Sequence, residues 1–320
     1  QRSATHAQLT LNLYSATALC DDVHAARAFL SQLSAARTPQ PLKLTCSDER
    51  HLPERAQWDA LIDKATGAIA AGKFDKVVLA RASDLYFTTT PDAASLMAAS
   101  RRVNSGCYHF FMAFDATRAF LGSTPERLWR RIGDELRTEA LAGTVAGSPD
   151  DLRARELGDW LMHDDKNQRE NMLVVEDICQ RLQGVSGALE VLPPQIVRLR
   201  KVQHLRRCIW TTLRTGSDDL LCLQRLQPTA AVAGLPRDAA RHFITQYEPF
   251  ERQWYAGSAG WLSAVRSEFC VTLRCAQVEG LRVRLYAGAG IVAGSQAALE
   301  WQEVDNKAAG LRSLFFANVN

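Results

Sequence analysis

Three strand-like runs follow closely on one another near the end of the chain: WYAGSAGWLS (254–263), EFCVTLRCAQV (268–278) and LRVRLYAGAGIV (281–292). The short turns between them predict an antiparallel meander, because parallel neighbours would need a crossover of a dozen residues or more. Further strand-like runs are KVVLARASDLYF, GCYHFFMAFD, AFLGS, ELRTEAL and QHLRRCIWTTL. Helical periodicity falls at about 21–37, 53–72, 91–104, 150–183, 236–247 and 296–316. Strands come in groups rather than alternating one for one with helices, which predicts an α+β architecture over a doubly wound parallel sheet. With 320 residues, 47% of them hydrophobic, the chain can bury a large core.

A formal charge of +3 gives no whole-chain field to draw the protein to nucleic acid or a membrane surface. Eight cysteines are scattered without a CxxC pair, the usage of a reduced, cytoplasmic protein. There is no 18-residue apolar run and no signal-peptide pattern. The start at Gln1 rather than methionine is read as that of a fragment or a processed chain.

Against this background a few charged residues stand in apolar contexts. Only seven of the 38 basic residues are lysines, and one, Lys76, opens the run Val77–Ala80. A desolvated amine there is more easily kept neutral and can then accept a proton; otherwise it is a strand-end lysine reaching for water. Glu126 follows a Thr-Pro turn in LGSTPERLWRR. In a dry cleft it would be a proton donor, and on the surface a partner for Arg127, Arg130 or Arg131. Glu170 lies on an amphipathic helix one turn from a face of Met172, Val175, Cys179 and Leu182. In EWQEVDNK, Glu300, Glu303 and Lys307 fall near one helical stripe that Leu311 and Leu314 continue. A solvated i,i+4 pair accounts for Glu303 and Lys307 taken alone. Were Glu303 to meet Glu170, two like charges would need compensation, for which Mg2+ suits an all-oxygen donor set; zinc is disfavoured for want of His and Cys ligand spacing.

The glycines of YAGSAG and YAGAGI allow close backbone approach to a ligand or a crowded sheet crossing, and they do not match a dinucleotide fingerprint. The basic run VRLRKVQHLRRC (197–208) admits an RNA-binding reading. Its charges alternate with apolar residues and lack aromatics to stack bases, which favours a strand with one solvated face. His204 within it is read first as a satisfied interior histidine.

Ten segments, in order, resemble the chorismate-utilising enzymes: KVVLAR, GSTPERL, TEALAGT, DDKNQRENMLVVEDI, VQHL, QPTAAVAGLPR, WYAGSAG, FCVTLR, YAGAGIVAGS and EWQEVDNK. The family includes isochorismate, salicylate, anthranilate and aminodeoxychorismate synthases. The resemblance implies large, mainly antiparallel sheets in a β-sandwich-like core with helices outside, and a catalytic domain over 56–320. Residues 1–55 would be the remnant of an N-terminal region contributing a strand and a helix. It casts Lys76 as the base that activates water and Glu126 as the acid that protonates the departing hydroxyl. Glu170 and Glu303 become Mg2+ ligands with Glu300 close to the metal shell. Tyr255 and Arg274 match positions that hold a substrate carboxylate; Gly143, Thr144, Gly288 and Gly290 match the pocket loops; His204 and Lys307 fall at the same end. KNQRENMLVVEDICQRL and QPTAAVAGLPR are most similar to the isochorismate synthase branch of menaquinone biosynthesis. Salicylate synthase and siderophore-pathway isochorismate synthase are the neighbouring alternatives. Lysine at 76, where ammonia-using members carry glutamine, implies water as nucleophile and no glutamine amidotransferase partner; Ala142 stands where aminodeoxychorismate synthases carry a nucleophilic lysine. A monomer is expected.

Overall fold

The computed structural model describes residues 22–32, 42 and 44–316. The chain divides into two compact units, Gln1–Gln40, which contains helix α1 (Asp22–Ser31), and Pro41–Asn320, which carries everything that follows.

The second unit is built on two seven-stranded sheets in which every pairing is antiparallel. The first holds β1 (Cys46–Leu52), β2 (Lys76–Phe87), β3 (Tyr108–Ala113), β4 (Arg118–Thr124), β10 (Gly234–Leu235), β13 (Cys275–Glu279) and β14 (Arg282–Ile291). Its order is β1-β2-β14-β13-β4-β3, with β10 beside β2. The second holds β5 (Arg127–Ile132), β6 (Glu135–Ala146), β7 (Glu190–Val191), β8 (Gln195–Arg198), β9 (Val202–Thr212), β11 (Ser258–Leu262) and β12 (Arg266–Val271). Ala80 and Tyr286 of the first sheet share one core with Leu128, Leu136 and Ile209 of the second. Helices α2 (Arg55–Ala70), α3 (Ala93–Val103), α7 (Arg237–Tyr247) and α8 (Ala297–Phe316) cover the first sheet with two further apolar clusters. The α+β, sandwich-like expectation therefore stands. Strand β1 lies within residues 1–55 and belongs to the compact unit that begins at Pro41.

Two expectations need correction. The run 268–278 is not one strand of a meander: β12 ends at Val271, β13 starts at Cys275, and the chain changes sheets between them. Arg274 makes the turn with φ at 48°, a left-handed conformation that costs a non-glycine residue on the order of 1 kcal/mol. The neighbouring strand does the same, β4 ending at Thr124 in the first sheet and β5 starting at Arg127 in the second. Ser123 N donates to Arg274 O at 3.1 Å and Val271 N to Glu126 O at 3.1 Å, so the two crossings run side by side.

The helix expected over 150–183 is also two, α4 (Asp151–His163) and α5 (Asp165–Leu182). Asp164, with extended backbone, ends the first and caps the second by accepting from Asn167 N at 3.0 Å. The buried apolar residues of α5 are Val174, Val175, Ile178 and Leu182, whereas Met172 is exposed. Helix α6 (Asp219–Leu226) and strand β5 were not anticipated from the sequence.

Candidate active site

The double crossing puts Glu126 and Arg274 on adjacent chains at the seam of the sheets, and a cavity opens there. Ten of the residues singled out from sequence line it: Glu126, Gly143, Thr144, Glu170, His204, Tyr255, Arg274, Gly288, Gly290 and Lys307. Lys76 and Glu303 stand behind this lining and reach it through Glu170 and Lys307, whereas Glu300 pairs with Lys166, which does not line the cavity.

Lys76 opens β2, fully buried, and its Nζ lies 3.1 Å from Glu170 Oε1. The approach is off the hydrogen-bonding direction, and the amine nitrogen has no well-aligned partner. Gly290, opposite Val78 across the β2–β14 ladder, leaves the space they occupy. A Cβ there would stand 2.1 Å from Glu170 Oε1 and 3.0 Å from Lys76 Cε. Gly288 is similarly confined, because a Cβ would meet the Tyr255 hydroxyl at 2.7 Å. The crowded-sheet reading of the glycine-rich strand thus holds: the Glu170, Lys76 and Tyr255 side chains press on it.

Glu126 is buried, and desolvation, reinforced by the nearby Glu139 carboxylate, pushes its pKa up to about 8. It is therefore largely a neutral acid at pH 7 and able to donate a proton. Glu139, itself raised by burial, accepts from Arg127 N at 2.9 Å, the amide directly after Glu126. Burial raises Glu170, and the charges of Lys76, Lys307 and Lys166 more than offset it, so its carboxyl lies below the ordinary value.

Arg274 and His204 form a fixed pair, Nη2 to Nε2 at 2.6 Å. Guanidinium can only donate, so Nε2 accepts and the imidazole proton sits on Nδ1, toward Thr144 Oγ1 at 3.1 Å and Gly143 O at 3.3 Å. Burial and the charges of Arg274 and Lys307 hold His204 well below the usual histidine range, which keeps that neutral tautomer. The interior histidine is thus satisfied, and it also orients the arginine. Gly143, φ 85°, carries a bulge where the β6–β9 register shifts between Leu141 and Thr144. Asn171 of α5 braces the strands around it, donating to the carbonyls of Ala140, Ala142 and Leu205 at 3.2, 3.0 and 3.0 Å.

On α8, Glu300 is the deeply buried acid, while Glu303 is part-exposed and pairs with Lys307 at 2.6 Å. Lys307 Nζ also donates to Gly288 O at 2.9 Å. Burial and the Glu303 charge raise Glu300, and Lys166 Nζ meets it at 2.8 Å. Lys166 was not singled out from sequence, although it lies one turn before Glu170 and is one of only seven lysines. Among the described residues, no group of three His, Cys, Asp or Glu side chains is close enough to hold a metal ion. Glu170, Glu300 and Glu303 nevertheless supply only oxygen donors. Each has one oxygen against a lysine side-chain nitrogen, and an all-oxygen donor set is the kind a hard cation takes.

The basic run 197–208 divides in two. Arg207 is engaged with Asn171 Oδ1 and Gln168 Oε1, each at 2.6 Å, and Arg206 with Gln195 at 3.0 Å. Arg198, Arg200 and Lys201 are exposed.

A buried acid, a buried lysine and a fixed arginine thus meet around one seam. A model of the chorismate binding enzyme family matches residues 1–315, and the chain belongs to that family. It is 62% identical over 314 residues to isochorismate synthase MenF of Escherichia coli K12, covering 98% of this chain and 73% of that protein. It is 43% identical to isochorismate synthase MenF of Haemophilus influenzae, covering 86% of this chain and 64% of that one. The solved structure of the menaquinone-specific isochorismate synthase of E. coli superposes with a TM-score of 0.88 at 63% identity, over 95% of this chain and 71% of that one. No helix of the described residues is long and apolar enough to cross a membrane.

Proposed function

We infer that the protein is an isochorismate synthase, interconverting chorismate and isochorismate by adding water at C2 with loss of the C4 hydroxyl. The observation that carries this reading is Glu126, a carboxyl held near pH 8 in the same cavity as Arg274 and beside Lys76. Arg274, oriented by His204, binds a carboxylate of the dianion, and Tyr255 closes the same wall. Glu126 gives its proton to the leaving hydroxyl, and Lys76 takes the proton of the attacking water. Glu170 and Glu303 would hold Mg2+, with Glu300 in its outer shell. Bound there, the ion would neutralise a substrate carboxylate. Lys307, between Glu303 and the Gly288 carbonyl, limits repulsion among the acids.

The finer assignments follow from the same features. High identity to menaquinone-specific relatives favours that pathway over the siderophore one. Lysine at 76 favours water over ammonia, hence no amidotransferase partner. Seven free cysteines among the described residues fit a reduced cytoplasm, and we read the enzyme as a monomer. Incubation with chorismate and Mg2+, with products separated by chromatography, tests the reading. Isochorismate alone is expected; no isochorismate overturns it, and salicylate with pyruvate moves the protein to the salicylate synthase branch.

A further inference from the structure

A second cavity adjoins the site, and Arg274 and Lys307 line both. The new cavity adds Arg198, Arg200 and Lys201, and no acidic residue contributes to its walls. The three cations stand at the β8–β9 hairpin, where Leu199 N donates to Val202 O at 2.9 Å and leaves Arg200 and Lys201 at the tip. Gly147 N fixes the turn by donating to Lys201 O at 2.8 Å, and a Cβ on Gly147 would stand 2.8 Å from the Lys201 carbonyl carbon. Among the described residues, none of the three side chains takes part in an ion pair or hydrogen bond. These exposed cations have no neutralising partner, and they stand beside the only two lining residues that also face the reaction.

We propose that this cavity is the entry vestibule for the dianionic substrate, with Arg198, Arg200 and Lys201 drawing it toward Arg274. Clefts lined by one sign of charge focus the field and raise local ligand concentration and on-rates by about 10- to 1000-fold. The three residues touch no reacting atom and act on capture alone. The inference rests on the proposed reaction only in that its anion is chorismate.

The test is the ionic-strength dependence of kcat/KM for the full chain and for Arg200→Ala/Lys201→Ala and Arg200→Glu/Lys201→Glu. At low salt the neutral pair should lose about tenfold in kcat/KM and the reversed pair more, with kcat unchanged. The differences should shrink toward twofold near 0.5 M salt, where screening acts within about 4 to 5 Å. Chorismate binding to Lys76→Ala, measured by calorimetry with and without the hairpin substitutions, gives a readout independent of turnover. Wild-type salt slopes and affinities in the substituted proteins, or a loss confined to kcat, overturn the vestibule. If no isochorismate forms but binding of chorismate still falls with the hairpin charges, the proposed reaction fails and the vestibule stands.

Discussion

Gly290→Ala tests the tightest contact in the site. The added methyl would lie 2.1 Å from Glu170 Oε1, where ordinary contact begins at 3.4 Å, so the carboxylate has to withdraw by about 1.3 Å. Lys76 Cε, 3.0 Å from the same point, is pressed as well. Lys76 is fully buried, and Glu170, 8% exposed, can withdraw only into the cavity it lines, the space proposed for the substrate. A displacement of this size in a catalytic array costs about 100-fold in rate. Overpacking a buried site typically costs about 1 to 3 kcal/mol of stability, which leaves the protein folded if its stability is ordinary. Initial rates of isochorismate formation, alongside circular dichroism and a thermal melt, separate the two effects. Gly67→Ala, where nothing lies within 4 Å of the new methyl, is the control and should keep full activity. A Gly290→Ala enzyme with a native melt and a rate within threefold of wild type would refute the claim that catalysis depends on the Lys76–Glu170 arrangement.

Glu126→Gln removes the proton donor and should lower kcat by about 100- to 10,000-fold. In the wild type the acid must be protonated, so activity should fall as pH rises through about 8. Because the fold raises this pKa from 4.5, the native state favours the neutral carboxyl and loses stability as pH climbs toward 8. The melting temperature of Glu126→Gln should accordingly gain on wild type between pH 5 and 8. Chelation by EDTA should abolish turnover and added Mg2+ restore it, and Glu300→Gln should weaken Mg2+ binding by about 10- to 100-fold in calorimetry. Asn171→Ala leaves three carbonyls and Arg207 without their partner, and should cost about 3 kcal/mol in urea unfolding.

Strands β2 and β14 and helix α8 were legible because their runs are uninterrupted. The crossing at 272–274 was not, because no glycine or proline marks it: Arg274 itself takes the left-handed conformation, and apolar residues continue on both sides. Strand β5 was obscured by its arginines, which a strand can carry on its open face while Leu128 and Trp129 pack inward. On α8, spacing located the acidic stripe but could not rank depth, so Glu303 was expected to face inward where Glu300 is the more buried. Lys166 was overlooked because a lysine at the start of a helix carries no local signal; only its contact with Glu300 134 residues away reveals its role.

The paired crossing also decides which parts of the machinery can drift. Glu126 and Arg274 are tied by two backbone hydrogen bonds between neighbouring segments, so the spacing between the two side chains is written into one ladder. Lys76, the bulge at Gly143 and the acids of α8 arrive on other elements. A sandwich that breathes would move those elements against a seam whose own two groups stay in step, so the proposed acid and its arginine keep their spacing while the rest of the cavity shifts.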